Sequence, residues 1–344
     1  MTDVAAHLPE PPKVGVVVIG RNEGQRLLRC LKSARSSPAV VALVYVDSGS
    51  TDHSVQQARA FGEVVELDRS MPFTAARARN AGLARLLSHA SLEYVQFIDG
   101  DCELDRGWIQ YASAFLAATP NAAVVCGRRR ERYPDSSVYN LLCDLEWDTP
   151  VGQAEACGGD ALMRIEPLRQ IGGFRSDLIA GEEPELCVRL RQEGWTIHRL
   201  DREMTLHDAD MTCFSQWWKR NTRAGFAFAE GAALHGQSLQ KHWVRQSRSN
   251  WVWGFIVPVI ALLFAWPTWG ASLLLFAAYL CLGWRVRRYA ITRGWSGEHA
   301  SLYARFVVFS KLPMAIGQGQ YWFNRLLGLR STLIEYKGAA RPVG

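Results

Sequence analysis

With 344 residues, of which 48% are hydrophobic, the chain has the composition of a globular protein with one large core or two smaller ones. The net charge of +6 is modest, and the basic residues are concentrated late in the chain, which favours an anionic membrane surface as a partner. The sequence shows no basic stretch interleaved with aromatic residues, as a groove for single-stranded nucleic acid would need. None of the eight cysteines forms a Cys-x-x-Cys pair, so neither a zinc site nor a disulfide framework is indicated.

The chain begins with a polar, proline-containing leader over residues 1–13, which lacks the basic-then-apolar pattern of a secretory signal. Scattered cysteines without a pairing pattern also favour a reducing compartment. We therefore expect the catalytic part of the chain to stay in the cytoplasm.

Strands and helices are predicted to alternate in the first part of the chain. Apolar, β-branched runs predict strands over Val14–Ile19, Val40–Val46, Glu63–Leu67, Leu92–Ile98 and Ala122–Cys126. Apolar residues at helical spacing predict helices after Gly24 and over Phe73–His89, Asp105–Ala118 and Glu185–Glu193. Such alternation implies right-handed βαβ units and a mostly parallel sheet in an α/β fold.

The loop after the first strand argues against a bound dinucleotide. Gly20 is followed by Arg21, Asn22 and Glu23 and not by the Gly-x-x-Gly that completes the dinucleotide fingerprint. Residues 14–126 are therefore predicted to form a Rossmann-like nucleotide-binding half. Residues 127–214, which are richer in glycine, proline and charge, are predicted to form an acceptor half.

Beyond Ser215 the character of the sequence changes. Residues 215–250 form a basic linker, and two uncharged apolar stretches follow at 251–266 and 269–284. At about 1.5 Å per residue each stretch covers about 24 Å, a little less than the hydrocarbon core of roughly 30 Å. Basic clusters on both outer sides predict a transmembrane hairpin with cytoplasmic ends. A re-entrant hairpin or a buried soluble helix pair stays open as an alternative, and Leu302–Tyr321 is predicted to lie on the membrane as an amphipathic helix.

Two aspartates close the fourth predicted strand. Asp99 and Asp101 are separated by Gly100, and side chains at positions i and i+2 of an extended segment share a face. Both carboxylates can therefore converge on one divalent cation. An acidic turn without a ligand is the alternative.

Five motifs follow one another in a fixed order. They are Arg21-Asn22-Glu23, Asp47–Asp52, Ala78–Gly82, Asp99–Asp101 and Gly172–Leu186. In this order they resemble the family 2 glycosyltransferases, inverting enzymes of the GT-A fold that use nucleotide-activated sugars. The resemblance covers Val14–His207, about half of the chain or slightly more, and the tail from Ser215 to Lys337 is similar to that of membrane-attached bacterial members.

The resemblance implies roles on the donor side. Arg21, Asn22, Glu23 and Asp47 would hold the nucleoside, although Ser48 stands where the family usually has a second aspartate. Asp47 is alternatively a turn and helix-capping residue.

It also implies how the diphosphate, the metal and the sugar are held. Asp101 would bind Mg²⁺ or Mn²⁺, with Asp99 holding the ribose or the water shell of the metal. His207 is either a further metal ligand or a loop histidine, and Arg79 either reaches the diphosphate or is a solvated helix residue. The sugar pocket would be lined by Gly158, Gly159 and Asp160.

Inversion at the anomeric carbon needs one general base, which in the family is the aspartate of a Glu-Asp pair. Here the pair is Glu182-Glu183, and we expect Glu183 to be the base, with Glu182 in reserve and a solvated acidic loop as the alternative. Arg220 and Arg223 share a predicted helix face and would clamp a diphosphate or a lipid phosphate, or else snorkel at the membrane surface.

The function expected from the resemblance is transfer of a sugar from a nucleoside diphosphate donor, with UDP favoured, to a lipid-linked or polysaccharide acceptor at the cytoplasmic membrane face, in cell-envelope polysaccharide synthesis. A polyprenyl-phosphate glycosyltransferase is an alternative. A non-catalytic membrane scaffold that retains the nucleotide-binding fold is another, since Ser48 and Glu183 depart from the family pattern.

Overall fold

The computed structural model of the protein describes residues 13–88 and 91–329. The leader up to residue 12, the predicted helix end at His89 and the chain beyond Leu329 lie outside the described residues.

A single mixed sheet organises the first part of the chain. From one edge to the other its strand order is β3-β2-β1-β4-β8-β6-β9-β5, and β7 pairs with β9 away from this path. The strands are β1 Val14–Gly20, β2 Val40–Asp47, β3 Glu63–Glu66, β4 Tyr94–Asp99, β5 Cys102–Leu104, β6 Ala122–Glu131, β7 Gly152–Gln153, β8 Ala161–Arg164 and β9 Thr196–His207.

The prediction of a mostly parallel sheet is corrected to a mixed one. Strands β1, β2, β3 and β4 pair in parallel, as the βαβ alternation predicted. Strand β8 then pairs antiparallel with both β4 and β6, and β9 pairs antiparallel with β5 and β7. Strand β8 is inserted between β4 and β6, which both precede it in the chain, and the local alternation of strands and helices does not encode such an insertion.

Helices connect these strands and continue beyond them. They are α1 Gln25–Arg35, α2 Ser54–Ala58, α3 Ala75–Leu87, α4 Trp108–Ala118, α5 Val138–Trp147, α6 Ile165–Gln170, α7 Glu182–Gln192, α8 Phe214–His235, α9 Val244–Trp251, α10 Val257–Leu263, α11 Ala278–Thr292 and α12 Gly297–Leu326.

Local sequence explains two of the helices that flank the parallel strands. Helix α1 buries Leu27, Leu31 and Ala34, which form an apolar stripe at helical spacing. The side chain of Thr74 caps α3 by accepting a hydrogen bond from the Arg77 amide. In α3, Gly82 packs so closely on β1 that a Cβ atom there would lie 2.4 Å from Cγ1 of Val17.

The described residues divide into two compact units that interleave along the chain. The first holds the sheet and comprises the described residues up to Arg130 together with Thr149–Arg175 and Arg189–Asp208. The second comprises Glu131–Asp148, Ser176–Val188 and the described residues from Ala209 onward. The sequence predicted domains that are contiguous along the chain. The predicted division into a nucleotide half and an acceptor half stays a prediction.

Helices α8 and α12 form the centre of the second unit, and their backbones touch. A Cβ atom on Gly225 would lie 2.0 Å from the Met314 carbonyl oxygen, and one on Gly317 would lie 1.9 Å from the Thr222 carbonyl oxygen. A core cluster that includes Leu142, Met211 and Trp217 adjoins this crossing. Glycine is therefore required where these helices meet.

The predicted transmembrane hairpin is not found. Helix α9 runs through a π-helical turn, Val252–Ile256, into α10, and the chain returns through a 3₁₀ helix, Ala271–Ala277, into α11. Within residues 13–88 and 91–329 no helix combines the length and the apolar character needed to cross a bilayer. The described residues therefore do not support the prediction of transmembrane helices. The predicted surface helix Leu302–Tyr321 lies within α12, which is one long helix.

Candidate active site

The carboxyl ends of the central parallel strands meet at one edge of the sheet, as the sequence predicted. Strand pairing places Gly20 beside Asp47 and Ile19 beside Asp99. The loops that follow β1, β2 and β4 are therefore neighbours.

Asp99 at the end of β4 is held by two arginines. The Arg79 guanidinium donates to Oδ1 of Asp99 at 2.9 Å, and an Arg129 nitrogen lies 3.8 Å from its Oδ2. Arg79 is only 3% exposed and lies over the ring of Phe174, so the alternative of a solvated helix residue is wrong. Its predicted contact with a diphosphate stays a prediction.

Asp160 is the buried centre of this charge network. It is fully buried, and its Oδ1 accepts from the Asp99 amide at 3.0 Å. Its Oδ2 accepts from the Thr205 hydroxyl at 3.0 Å and lies 2.7 Å from an Arg129 nitrogen. These are the contacts of an internal carboxylate that fixes Asp99 and Arg129, whereas the sequence predicted a lining residue of the sugar pocket.

Arg129 is a site residue that the sequence analysis missed. It lies in β6, where the apolar run of the strand ends in Arg128-Arg129-Arg130. Burial lowers the pKa of the Arg129 guanidinium, but the surrounding acidic groups, with Asp160 the strongest among them, together outweigh burial, so the pKa lies above its usual value. Because side chains alternate along a strand, an arginine triplet at a strand end places its middle member on the face opposite to its neighbours, a signal that was available from the sequence.

Of the two predicted glycines, Gly159 lies against the same network. A Cβ atom there would lie 2.9 Å from Oδ2 of Asp99 and 3.0 Å from an Arg79 nitrogen. Gly158, with φ of +80°, leaves open space around its Cα. The backbone at Gly159 thus closes one side of the Asp99 cluster.

Asp101 and His207, both predicted as metal ligands, lie next to each other, and their binding of a metal stays a prediction. Oδ2 of Asp101 and Nε2 of His207 are 3.4 Å apart, and both residues are buried. Octahedral ligands at 2.0–2.1 Å from one ion lie about 3 Å from each other, so this pair fits a shared divalent cation. His207 ends β9, which pairs with β5 directly after Asp101, so it is not a loop histidine.

Cys102 completes a group of three potential ligand atoms with Asp101 and His207. Its thiol is buried and lies 3.7 Å from Oδ1 of Asp101. Burial, reinforced by the Asp160 charge, raises the pKa of the Cys102 thiol well above its usual value. A protonated thiol is a poor ligand for Mg²⁺ or Mn²⁺, so Asp101 and His207 remain the candidate ligands.

Asp99 and Asp101 do not belong to one continuous strand. Strand β4 ends at Asp99 and β5 begins at Cys102, so the extended geometry that would align the two carboxylates stops between them. The arginine contacts of Asp99 favour a supporting role, and its direct ligation of a metal stays a prediction.

Asp47 has the contacts of a turn residue. It is buried, and its carboxylate accepts from the Tyr45 hydroxyl at 2.9 Å and from the amides of Gly49 and Ser50 at 2.9 and 2.8 Å. Burial and the nearby Asp47 charge raise the pKa of Tyr45, which keeps this hydroxyl a donor. The nucleoside role of Asp47 stays a prediction.

The loop after β1 is tied to the loop after β2. Asn22 adopts a left-handed conformation with φ of 56°, its amide donates to Ser50, and its side-chain oxygen accepts from the Thr51 amide at 2.7 Å. Arg21 stacks over the Phe73 ring, and Glu23 pairs with Arg26 at 2.9 Å.

A backbone hydrogen bond also joins the ends of β1 and β2, since the Ser48 amide donates to the Gly20 carbonyl oxygen. The nucleoside roles of Arg21, Asn22, Glu23 and Ser48 stay predictions.

Glu182 and Glu183 belong to the first turn of α7, where carboxylates interact favourably with the helix dipole. Glu183 is only 5% exposed, and its Oε1 accepts from the Cys187 thiol at 3.0 Å. The alternative of a solvated acidic loop is therefore wrong for Glu183. Its role as the general base stays a prediction.

Arg220 and Arg223 lie on α8 as predicted. Arg220 pairs with Glu146 of α5 at 2.7 Å, and Arg223 donates to the Ile179 carbonyl oxygen at 3.1 Å. Both arginines are thus anchored within the second unit.

Residues 15–151 match the sequence model of the family described as Glycosyl transferase family 2. That part of the chain is therefore similar to a family 2 glycosyltransferase domain. A pre-mycofactocin glycosyltransferase of Mycobacterium tuberculosis is 26% identical over 254 residues, which cover 68% of this chain and 52% of the relative. The glycosyltransferase AglE of Haloferax volcanii is 22% identical over 228 residues, covering 62% of this chain and 72% of AglE.

The chain is also similar in structure to solved proteins. A mannosyltransferase of Pyrobaculum calidifontis, solved with GDP-Man and Mn²⁺, matches with a TM-score of 0.58 at 18% identity and covers 91% of this chain and 88% of its own. Residues 1–349 of TarS from S. aureus match with a TM-score of 0.51 at 15% identity, covering 86% and 90%. At these identities the likeness shows a GT-A-like α/β fold, which confirms that prediction. The chain spans about half the length of the M. tuberculosis relatives.

Proposed function

We propose that this chain is an inverting glycosyltransferase that moves a sugar from a nucleoside diphosphate donor, with UDP favoured, to a lipid-linked or polysaccharide acceptor. The observation that carries the proposal is the pairing of Asp101 with His207 at the carboxyl edge of a family 2-like domain, next to the arginine-held Asp99. The M. tuberculosis and H. volcanii relatives are named as glycosyltransferases, and the P. calidifontis structure contains a nucleotide sugar.

The charges at this edge suit a diphosphate held through a divalent cation. Three carboxylates, Asp99, Asp101 and Asp160, face two guanidinium groups, Arg79 and Arg129, which leaves one negative charge apart from His207. A bare diphosphate would be repelled by Asp101, whereas a cation on Asp101 and His207 would attract it.

Mg²⁺ or Mn²⁺ would be held by Asp101 and His207, and it would neutralise the charge that develops on the departing nucleoside diphosphate. The chain's own residues supply the rest. Arg79 and Arg129 hold the Asp99 carboxylate in place, and Asp160 in turn holds Arg129.

Proton transfer in the proposed reaction is assigned to Glu183. A single displacement leaves one proton on the acceptor hydroxyl, and Glu183 Oε1 would take it as the new glycosidic bond forms. Burial at a helix N-terminus holds this carboxylate in one place, and the Cys187 thiol restricts its orientation.

The proposed setting is the cytoplasmic face of a membrane. Exposed apolar side chains crowd the hairpin between α10 and α11, and Trp266 and Trp269 at its turn are 93% and 98% exposed. Exposed arginines 285, 287 and 288 follow on α11. An exposed apolar patch rimmed by basic residues is typical of a surface that docks on lipid.

A donor panel tests the proposed reaction. The purified protein is offered UDP- and GDP-sugars with Mn²⁺ or Mg²⁺, and release of the nucleoside diphosphate is measured. We expect Asp101→Asn to abolish Mn²⁺ binding in the presence of UDP, as followed by electron paramagnetic resonance, and to remove turnover. Asp105→Asn, an exposed aspartate on the loop before α4, is the matched control and should keep both.

The base is tested separately. Glu183→Gln is expected to lower kcat by about 10²–10⁴-fold without weakening donor binding, because a positioned base contributes that much. Full turnover in Asp101→Asn, or no turnover of any donor by the native chain, would contradict the proposed function. Turnover that survives Glu183→Gln would instead favour an ionised phosphate acceptor, which needs no base.

A further inference from the structure

The second unit contains a cavity that the proposed donor chemistry does not use. It has a volume of about 340 Å³ and lies among α5, α8, α9 and α12. This volume is at the lower end of the range for small-molecule sites.

A lysine and an asparagine form the polar wall of this cavity. Lys311, in the middle of α12, donates to Oδ1 of Asn250 on α9 at 2.9 Å. A lysine can only donate, so it fixes the amide oxygen toward itself and turns the Asn250 NH₂ group away. That Nδ2 atom is buried and has no hydrogen-bond partner within the part of the chain that the structure describes. A buried donor without a partner costs free energy, and a ligand acceptor would satisfy it.

The charges around the cavity favour an anion. Arg220 is neutralised by Glu146 at 2.7 Å, whereas Lys311 makes no ion pair with any described residue. Burial lowers the pKa of Lys311, because the ammonium is stripped of water without a carboxylate to compensate. An anionic group beside Lys311 would supply that missing charge.

Apolar and aromatic side chains form another part of the lining, which also includes the polar residues Gln246 and Ser310. Trp217 and Phe228 of α8 and Phe306 and Met314 of α12 line the cavity beside the polar pair. Trp217 and Phe306 contact each other edge to face with ring centroids 5.2 Å apart, so this wall is rigid. The cavity therefore combines one charged, donor-rich wall with a broad apolar wall.

We propose that this cavity binds the anionic head of an amphiphile, a phosphate ester or a carboxylate on an apolar chain, through Lys311 and Asn250. The ligand's oxygens would accept from Lys311 Nζ and Asn250 Nδ2, and its chain would pack on Trp217 and Phe306. Its role as the acceptor of the sugar rests on the proposed function, whereas its binding does not.

Calorimetric titration without any donor tests the binding. The probes are decyl phosphate, decanoate, decanol and inorganic phosphate, titrated into the full chain. We expect the two charged decyl probes to bind at least tenfold more tightly than decanol or inorganic phosphate. Only these two probes can contact both the polar pair and the apolar side chains of the cavity. The ratio of the dissociation constants of decyl phosphate and decanoate then shows which head group the cavity prefers.

Variants assign the binding to this cavity. Lys311→Met keeps approximately the length of the side chain but removes its charge. We expect this variant to bind decyl phosphate at least tenfold more weakly than the native chain and to bind decanol with unchanged affinity. Lys311→Arg should retain most of the affinity. Lys219→Met, an exposed lysine on α8 outside the cavity, is the matched control and should bind like the native chain.

Equal binding of decanol and decyl phosphate, or equal affinity in Lys311→Met and Lys219→Met, would overturn the assignment. Because no donor is present, either result leaves the proposed sugar transfer untouched. Conversely, failure of every nucleotide sugar in the donor panel would leave the cavity assignment standing.

Discussion

Asp160 shows how a single buried residue sets the geometry of the candidate site. It fixes the Asp99 backbone through one oxygen and Arg129 through the other. Two charges buried together are tolerated because each compensates the other, and removing one of them leaves the partner unpaired in a poorly solvated place.

Replacing this carboxylate tests its role in stability. We expect Asp160→Asn to lower the free energy of unfolding by about 3 kcal/mol, because the Arg129 charge loses its closest partner. Glu203→Gln is the matched control, since it removes the carboxylate from the exposed pair with Arg130 and should cost less than about 1 kcal/mol. Urea denaturation followed by circular dichroism measures both. Similar losses in the two variants would contradict the buried network.

Cysteine reactivity gives a second prediction at the residue scale. Hydrogen bonding with the Ser215 side chain lowers the pKa of the exposed Cys213 thiol. At a given pH below the usual thiol value of about 8.5, Cys213 therefore holds more thiolate than a free thiol does. We expect its alkylation rate to reach half of its maximum at a lower pH than that of a cysteine in an unstructured peptide with both ends blocked.

Mass spectrometry after brief iodoacetamide treatment measures this profile, and Cys213→Ser identifies the site. The buried Cys30 and Cys102, whose pKa values are raised by burial, should stay unmodified in the folded chain. A profile for Cys213 that coincides with the free thiol would contradict the prediction.

At the scale of elements, the crossing of α8 and α12 depends on two glycines. Gly317 sits where a Cβ atom would lie 1.9 Å from a backbone oxygen of α8, and backbone cannot move aside as a flexible side chain can. The close contact therefore fixes how these two helices pack.

Gly317→Ala is expected to destabilise the second unit by at least about 2 kcal/mol, because overpacking outweighs the gain in helix propensity. Gly319→Ala lies two residues further along the same helix, where a Cβ atom would meet nothing within 4 Å, and it should stabilise by about 0.5–1 kcal/mol. Thermal unfolding of both variants gives the comparison. The same sign for both would show that the crossing is not tightly packed.

At the scale of the whole molecule, the exposed apolar hairpin between α10 and α11 distinguishes this protein from an ordinary globular one. Large apolar side chains there stay in contact with solvent, including Leu263, Trp266, Trp269 and Leu274. The arginines that follow would meet anionic head groups. We therefore expect the proposed membrane docking to need both the exposed apolar side chains and the arginines.

Co-sedimentation with phosphatidylserine-containing vesicles tests the docking. The native chain should pellet with anionic vesicles, less with neutral ones and less at 0.5 M salt, since salt screens the arginine contribution. Trp266→Ser with Trp269→Ser should lower partitioning at least tenfold, whereas Met71→Ser, an exposed apolar residue of the first unit, should not. A native chain that stays in the supernatant with anionic vesicles would contradict the proposed membrane location.

The four parallel strands and the ordered loop motifs after them were determined by the sequence alone, because local apolar runs and alternation of strands and helices are local properties. Pairing of Asp101 with His207 was predicted only through the family resemblance. The antiparallel half of the sheet and the Asp160–Arg129 pair were decided by tertiary structure. Each of them depends on how residues distant in the chain pack together, and neither spacing nor periodicity carries that information.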